Sequence, residues 1–146
     1  MIKGNVHWSR MPEWEDFMER TADYIGSAGA NGDTATRKNW ITFHARVRDR
    51  MANGARQYKE ASFERPLWEL LNEAMQEPED VAGWSFIMSS RLLNMGPDAR
   101  KPFLVGELAS MIAQAFALWA RLCDLYEMFI EVEDQEKLRR QPMSGQ

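Results

Sequence analysis

Apolar residues recur along this chain at spacings of three, four and seven. No segment alternates in the manner of a half-buried strand, so the pattern predicts an all-α bundle of four to five helices. The first helix opens at Pro12, whose fixed φ and missing N–H suit an opening turn, with Glu13, Glu15 and Asp16 toward the positive end of its dipole. Trp14, Phe17, Met18, Thr21 and Ile25 share its inner face. The Gly-, Ala- and Ser-rich stretch from Gly26 to Asp33 reads as a loop, and it lacks the Gly-Lys-Ser/Thr ending of a phosphate-cradling turn. Asp33 or Thr34 then caps a second helix with Trp40, His44, Val47, Met51, Ala55 and Tyr58 on one side. Its other faces carry Arg37, Lys38, Arg46, Arg48, Arg50, Arg56 and Lys59 against the single acid Asp49, a pattern that suits a solvated or a phosphate-facing surface.

Pro66 opens a third helix, and Pro78 interrupts it. Proline removes a backbone hydrogen bond and clashes with the preceding turn, which predicts either a kink near Gln76 or a stop with a fourth helix beginning at Pro78. That segment is apolar on most sides and is expected to be mostly buried. Gly96 is the expected C-cap and Pro97 the stop. The last helix runs from near Pro102 at least to Asp134 with two apolar stripes. Leu104, Leu108, Met111, Ala115, Leu118, Leu122, Leu125, Phe129 and Val132 form one, and Ile112, Phe116, Trp119, Cys123, Tyr126 and Ile130 the other. A helix apolar over so much of its circumference needs cover on two sides, which predicts a homo-oligomer, dimer or tetramer, built through residues 102–134. The charged, then polar, end from about 134 to 146 reads as a flexible tail.

The length of 146 residues suits a single domain over 1–146, and 45% hydrophobic with 27% charged residues is ordinary globular usage. Six Trp and ten Met suit an irregular core or an interface between subunits. A net charge of −4 argues against a stable nucleic-acid complex. One cysteine, Cys123, forms no internal disulfide, the first residues lack the apolar stretch of a signal peptide, and no run approaches a membrane span. The expected location is therefore cytoplasmic, with no membrane partner. His44, on an apolar stripe, reads as a core histidine, and no Ser or Cys has a His at a catalytic spacing.

The concentrated chemistry is acidic. On a continuous helix Glu69, Glu73, Glu77 and Asp80 fall within about 80° of one another along roughly 16 Å of axis. Like charges so placed repel, more so where water is excluded, and are offset by neighbouring cations, by open solvent, or by a bound divalent ion such as Mg²⁺. On a mostly buried helix the stripe is expected in a cleft, as a metal site, with Glu107 or Asp124 of the last helix as further candidate ligands.

The stretch Glu77-Pro78-Glu79-Asp80-Val81-Ala82-Gly83-Trp84 resembles the Glu-x-x-Asp-Val-x-x-aromatic signature of the all-α nucleoside triphosphate pyrophosphohydrolases, the MazG-like and dimeric dUTPase superfamily. Tyr58 to Phe63 followed by Leu70 to Ala74 is similar to the lead-in of short MazG-like phage proteins, and the likeness spans residues 56–95. It departs from the family in having Glu69-x-x-x-Glu73 for the first acidic pair and a shorter linker to the second.

The resemblance implies hydrolysis of a nucleoside triphosphate to the monophosphate and pyrophosphate with Mg²⁺ or Mn²⁺. It makes Glu73, Glu77 and Asp80 the catalytic and metal residues, with Glu69 as a further ligand. Arg56, Lys59 and Arg65 are then candidates to neutralise the phosphates, and Trp84 to stack on the base. The alternative from the residues themselves is a non-enzymatic helical interaction or inhibitor protein that works through the apolar last helix.

Overall fold

The computed structural model describes residues 11–25, 33–58 and 61–142, with side chains placed for all of these except 11, 24–25, 55–58 and 61–62. The described residues form four α-helices, α1 (Met11–Ile25), α2 (Thr34–Tyr58), α3 (Leu67–Leu93) and α4 (Lys101–Arg140), with a 3-10 turn at Ala61–Glu64. Among the described residues there is no strand, as the periodicity predicts. The helices fall into two compact units that divide between Glu64 and Arg65.

In the first unit, Asp33 begins α2 as the sequence suggests: its carboxylate accepts the Thr36 N–H at 2.9 Å and its carbonyl accepts the Arg37 N–H at 3.0 Å. Hydrogen bonds from Thr36, its side chain foremost and then its N–H, hold the Asp33 carboxyl below its ordinary range. The core is Met18 and Ala22 of α1 against Trp40 of α2, with Trp14 packed beside them. His44 lies 5.7 Å from the Trp14 ring and 6.3 Å from that of Trp40, the core position expected of it. Its Nε2 is 3.5 Å from a Glu15 carboxylate oxygen. Phe17 differs from expectation, being 59% exposed, because the α1 face turned to α2 runs through Met18 and Ala22. Ala52 is buried in α2 where the pattern had offered Met51.

The second unit is an antiparallel hairpin of α3 and α4. At its open end the Leu67 N–H donates to a Glu133 carboxylate oxygen at 2.8 Å, and midway the Trp119 indole donates to Glu79 at 3.2 Å. Positions whose numbers add to about 199 therefore lie side by side. The contact is made by Leu71, Pro78 and Ser85 of α3 and by Ala115 of α4, all buried. Ser85 satisfies its hydroxyl within its own helix, donating to the Val81 carbonyl at 2.7 Å. Small side chains at facing levels let the two backbones approach closely.

Pro78 does not stop the chain into two elements: α3 is one helix of 27 residues with the pyrrolidine ring buried in the contact, so apolar burial offsets part of the lost hydrogen bond. The C-cap is Asn94, not Gly96; its N–H returns to Ser90 at 3.2 Å and its side-chain amide donates to the same carbonyl at 2.9 Å. Helix α4 continues past Asp134 to Arg140, its final turns carrying Glu136 paired with both Arg139 and Arg140 at 2.7 Å. The connecting turn is held by Asp98, which accepts from the Arg100 backbone and guanidinium, and by Lys101 Nζ donating to the Met95 carbonyl.

Replacing Ala115 by Leu forces a branched side chain into this contact. Overpacking of this kind costs roughly 1–3 kcal/mol. Chemical denaturation of Ala115→Leu is expected to show that loss, while Ala113→Leu, on an exposed position of the same helix, stays close to the parent.

Candidate functional site

The acidic run of α3 was expected in a water-poor cleft, and its surroundings are different. Glu73, Glu77 and Asp80 are exposed and Glu69 is half-buried. Among the described residues no three His, Cys, Asp or Glu side chains stand close enough together to hold a metal ion. What offsets the repulsion of the first two is a cation: Arg65 Nη2 lies 2.7 Å from Glu73 and Nε 3.3 Å from Glu69. The bond to Arg65 holds the Glu73 carboxyl below its ordinary range, and the two carboxylates hold the guanidinium firmly protonated. Arg65, expected to meet substrate phosphates, is thus engaged by the acids expected to hold the metal.

Trp84 is 64% exposed on α3, Lys59 and the Arg56 side chain lie outside the described residues, and Glu107 and Asp124 are exposed on α4. Two carboxylates outside the expected ligand set have defined structural partners: Glu79 accepts from Trp119 and Glu133 caps the start of α3. Their sequence signal is slight, since an acid that caps a helix from a distance of 66 residues leaves no local pattern.

The expectation that this part of the chain is mostly buried is overturned by its apolar side chains. On α3, Val81, Phe86, Ile87, Met88 and Leu93 are between 41% and 68% exposed. A single partner helix covers only one side of a helix, so most of the circumference of α3 stays outside the contact.

Helix α4 divides its two stripes with a clear rule. Ile112, Trp119, Cys123, Tyr126 and Ile130 are half-buried toward α3, joined by Leu108, Ala115, Leu122 and Phe129 from the other stripe. Phe116 departs from its stripe at 67% exposed. The remaining members, Leu104, Met111, Leu118, Leu125 and Val132, are 38%, 40%, 49%, 37% and 61% exposed and recur at intervals of seven residues. Over that span of roughly 42 Å they form an unpaired heptad seam.

Near the hairpin turn the seam borders a groove of about 510 Å³ lined by Met88, Arg91, Leu92, Met95, Leu104, Glu107 and Leu108. One further feature departs from the sequence reading. An 18-residue window of α4 reaches a mean hydropathy of 1.5 and is 6% buried, long and apolar enough by length and composition to cross a membrane.

Asp33, Glu73, Asp98 and Glu136 are all held below their ordinary carboxyl values by hydrogen bonds and ion pairs. The stability they lend is complete above the unfolded carboxyl range, about pH 5, and is lost as pH falls through the lower folded values. Melting followed by circular dichroism is therefore expected to show falling stability on acidification from pH 6 toward 3. Glu73→Gln should flatten part of that slope, by a small amount because the pair is exposed to solvent. No protein-family model, no curated protein and no solved structure matches the chain.

Proposed function

We propose that this chain is a helical assembly protein rather than an enzyme, and that its working surface is the apolar outside of the α3–α4 hairpin. The single observation that carries this reading is the exposed heptad seam from Leu104 to Val132. Scattered exposed apolar residues are normal on any protein. A seam with a coiled-coil period over five positions is different, because it is the pattern that packs against another helix. The exposed Val81, Trp84 and Met88 of α3 add to the apolar area available.

Two coverings compete for such a surface, protein and lipid. Lipid suits the stretch from Phe103 to Ala120, where Glu107 is the one charged residue. The seam does not stop there, however. It continues through Leu125 and Val132 into a segment carrying Arg121, Asp124, Glu127, Glu131 and Asp134. Charges at that density are costly in hydrocarbon and ordinary beside a coiled-coil seam. A protein helix is the covering that fits the whole length.

The nucleotide pyrophosphohydrolase reading rests on the sequence motif, and neither the Arg65-paired Glu69 and Glu73 nor the exposed Glu77 and Asp80 add to it. The discriminating measurements are pyrophosphate release from each nucleoside triphosphate with Mg²⁺ or Mn²⁺, and the melting temperature with and without those ions. The expected result is release equal to that of Asp80→Asn and an unchanged melting temperature. Release well above the variant would establish the enzyme.

For assembly, light scattering coupled to size exclusion is expected to give a mass above that of the 17.0 kDa chain. Leu118→Glu, placed at the middle of the seam, is expected to return the monomer with its helicity intact. Flotation with phosphatidylcholine–phosphatidylglycerol vesicles of a chain that stays monomeric in solution would favour lipid and remove the assembly reading.

A further inference from the structure

The seam carries information about its partner in the polar positions beside it. Resting on the assembly reading above, we infer that the occupant is a second copy of this chain, with its α4 laid antiparallel across the first about a two-fold axis at Gln114. Glu107, Gln114 and Arg121 follow one another at intervals of seven along the solvent side of the seam, and all three are exposed. Among the described residues neither Glu107 nor Arg121 forms an ion pair. Along this line the order of charge is negative, neutral, positive. Such an order is self-complementary when one copy is reversed.

In that arrangement Glu107 of each copy stands opposite Arg121 of the other, so the same ion pair forms twice, and Gln114 meets its own equivalent. Four of the five seam positions follow the same symmetry, and Val132 falls at the level of the hairpin turn of the second copy. Leu104 packs on Leu125 of the second copy and Met111 on Leu118, and the two-fold repeats both pairs. A parallel pair in register has the opposite electrostatics, setting Glu107 beside Glu107 and Arg121 beside Arg121. Like charges so placed are a known device against the wrong alignment. The closing interface is isologous, as expected of a two-fold dimer.

The groove near the hairpin turn agrees with this placement. Leu104 and Glu107 line it together with Met88 and Arg91 of α3, and the antiparallel alignment brings Leu125 of the second copy to the level of Leu104. An apolar side chain therefore arrives where the groove is apolar.

The test uses the full chain and charge reversal. Glu107→Arg alone places two cations opposite each other twice, and Arg121→Glu alone places two anions so. Each single variant is expected to weaken self-association by about tenfold or more in sedimentation equilibrium. An equimolar mixture of the two is expected to recover a dimer, because each contact then pairs opposite charges, and the double variant is expected to recover it as a homodimer. Lys38→Glu, at an exposed cation of α2 with no part in the proposed pairing, should leave association near the parent.

Circular dichroism of each variant separates loss of pairing from loss of fold. In a Cys123→Ser background, Gln114→Cys is expected to be joined between copies by a short bismaleimide. If Leu118→Glu gives a monomer while the charge variants associate like the parent, assembly stands and the antiparallel pairing is overturned. If the parent itself is monomeric at every concentration, the assembly reading fails and the pairing fails with it.

Discussion

The close contact between α3 and α4 is the constraint on which the second unit depends. Leu71, Pro78 and Ser85 on one helix and Ala115 on the other are small or compact enough to let two long helices lie near each other. Close approach makes the interface narrow, and a narrow interface covers little of each helix. The larger side chains, Trp84, Phe86, Phe103 and Phe116 among them, remain outside it. The feature that closes the hairpin is thus the feature that leaves its surface apolar.

Much of the helical architecture was legible in the sequence because it rests on local rules. The Asp33 cap, the entry of α3 after Pro66 and the length of α4 follow from capping chemistry, proline geometry and a sustained period. At Pro78 the local rule pointed to a kink or a stop, and the stop is excluded for a physical reason. The rule that proline breaks a helix assumes an exposed interior position, whereas here the ring is buried against α4 and the helix runs on. Gly96 misled in a similar way, since Asn94 reaches back to Ser90 with both backbone and side chain before the glycine is reached.

The acidic stripe was legible as a set of residues and illegible as an environment. Spacing places Glu69, Glu73, Glu77 and Asp80 on one side of a helix, and it says nothing of which side is covered. Apolar neighbours do not supply that information, since Leu71 is buried while Val81, Trp84 and Ile87 are exposed. The inference ran from apolar to buried, and that step is the weak one for a hairpin with one partner helix. The period of α4 carried better information. Its two stripes were visible beforehand, but only the position of α3 reveals which residues are used within the hairpin and which five are left over.

The bond from the Leu67 N–H to Glu133 has a bearing on how the hairpin finds its alignment during folding. Sliding α4 by one turn in one direction brings Lys137, whose positive charge faces the positive end of the α3 dipole, or Glu136, whose carboxylate is already engaged by Arg139 and Arg140. Sliding it the other way presents Phe129 or Ile130, which accept no hydrogen bond and leave the amide wanting a partner. One carboxylate thereby penalises both neighbouring registers, acting as a proofreading mark for two helices whose small-residue contact would otherwise tolerate slippage.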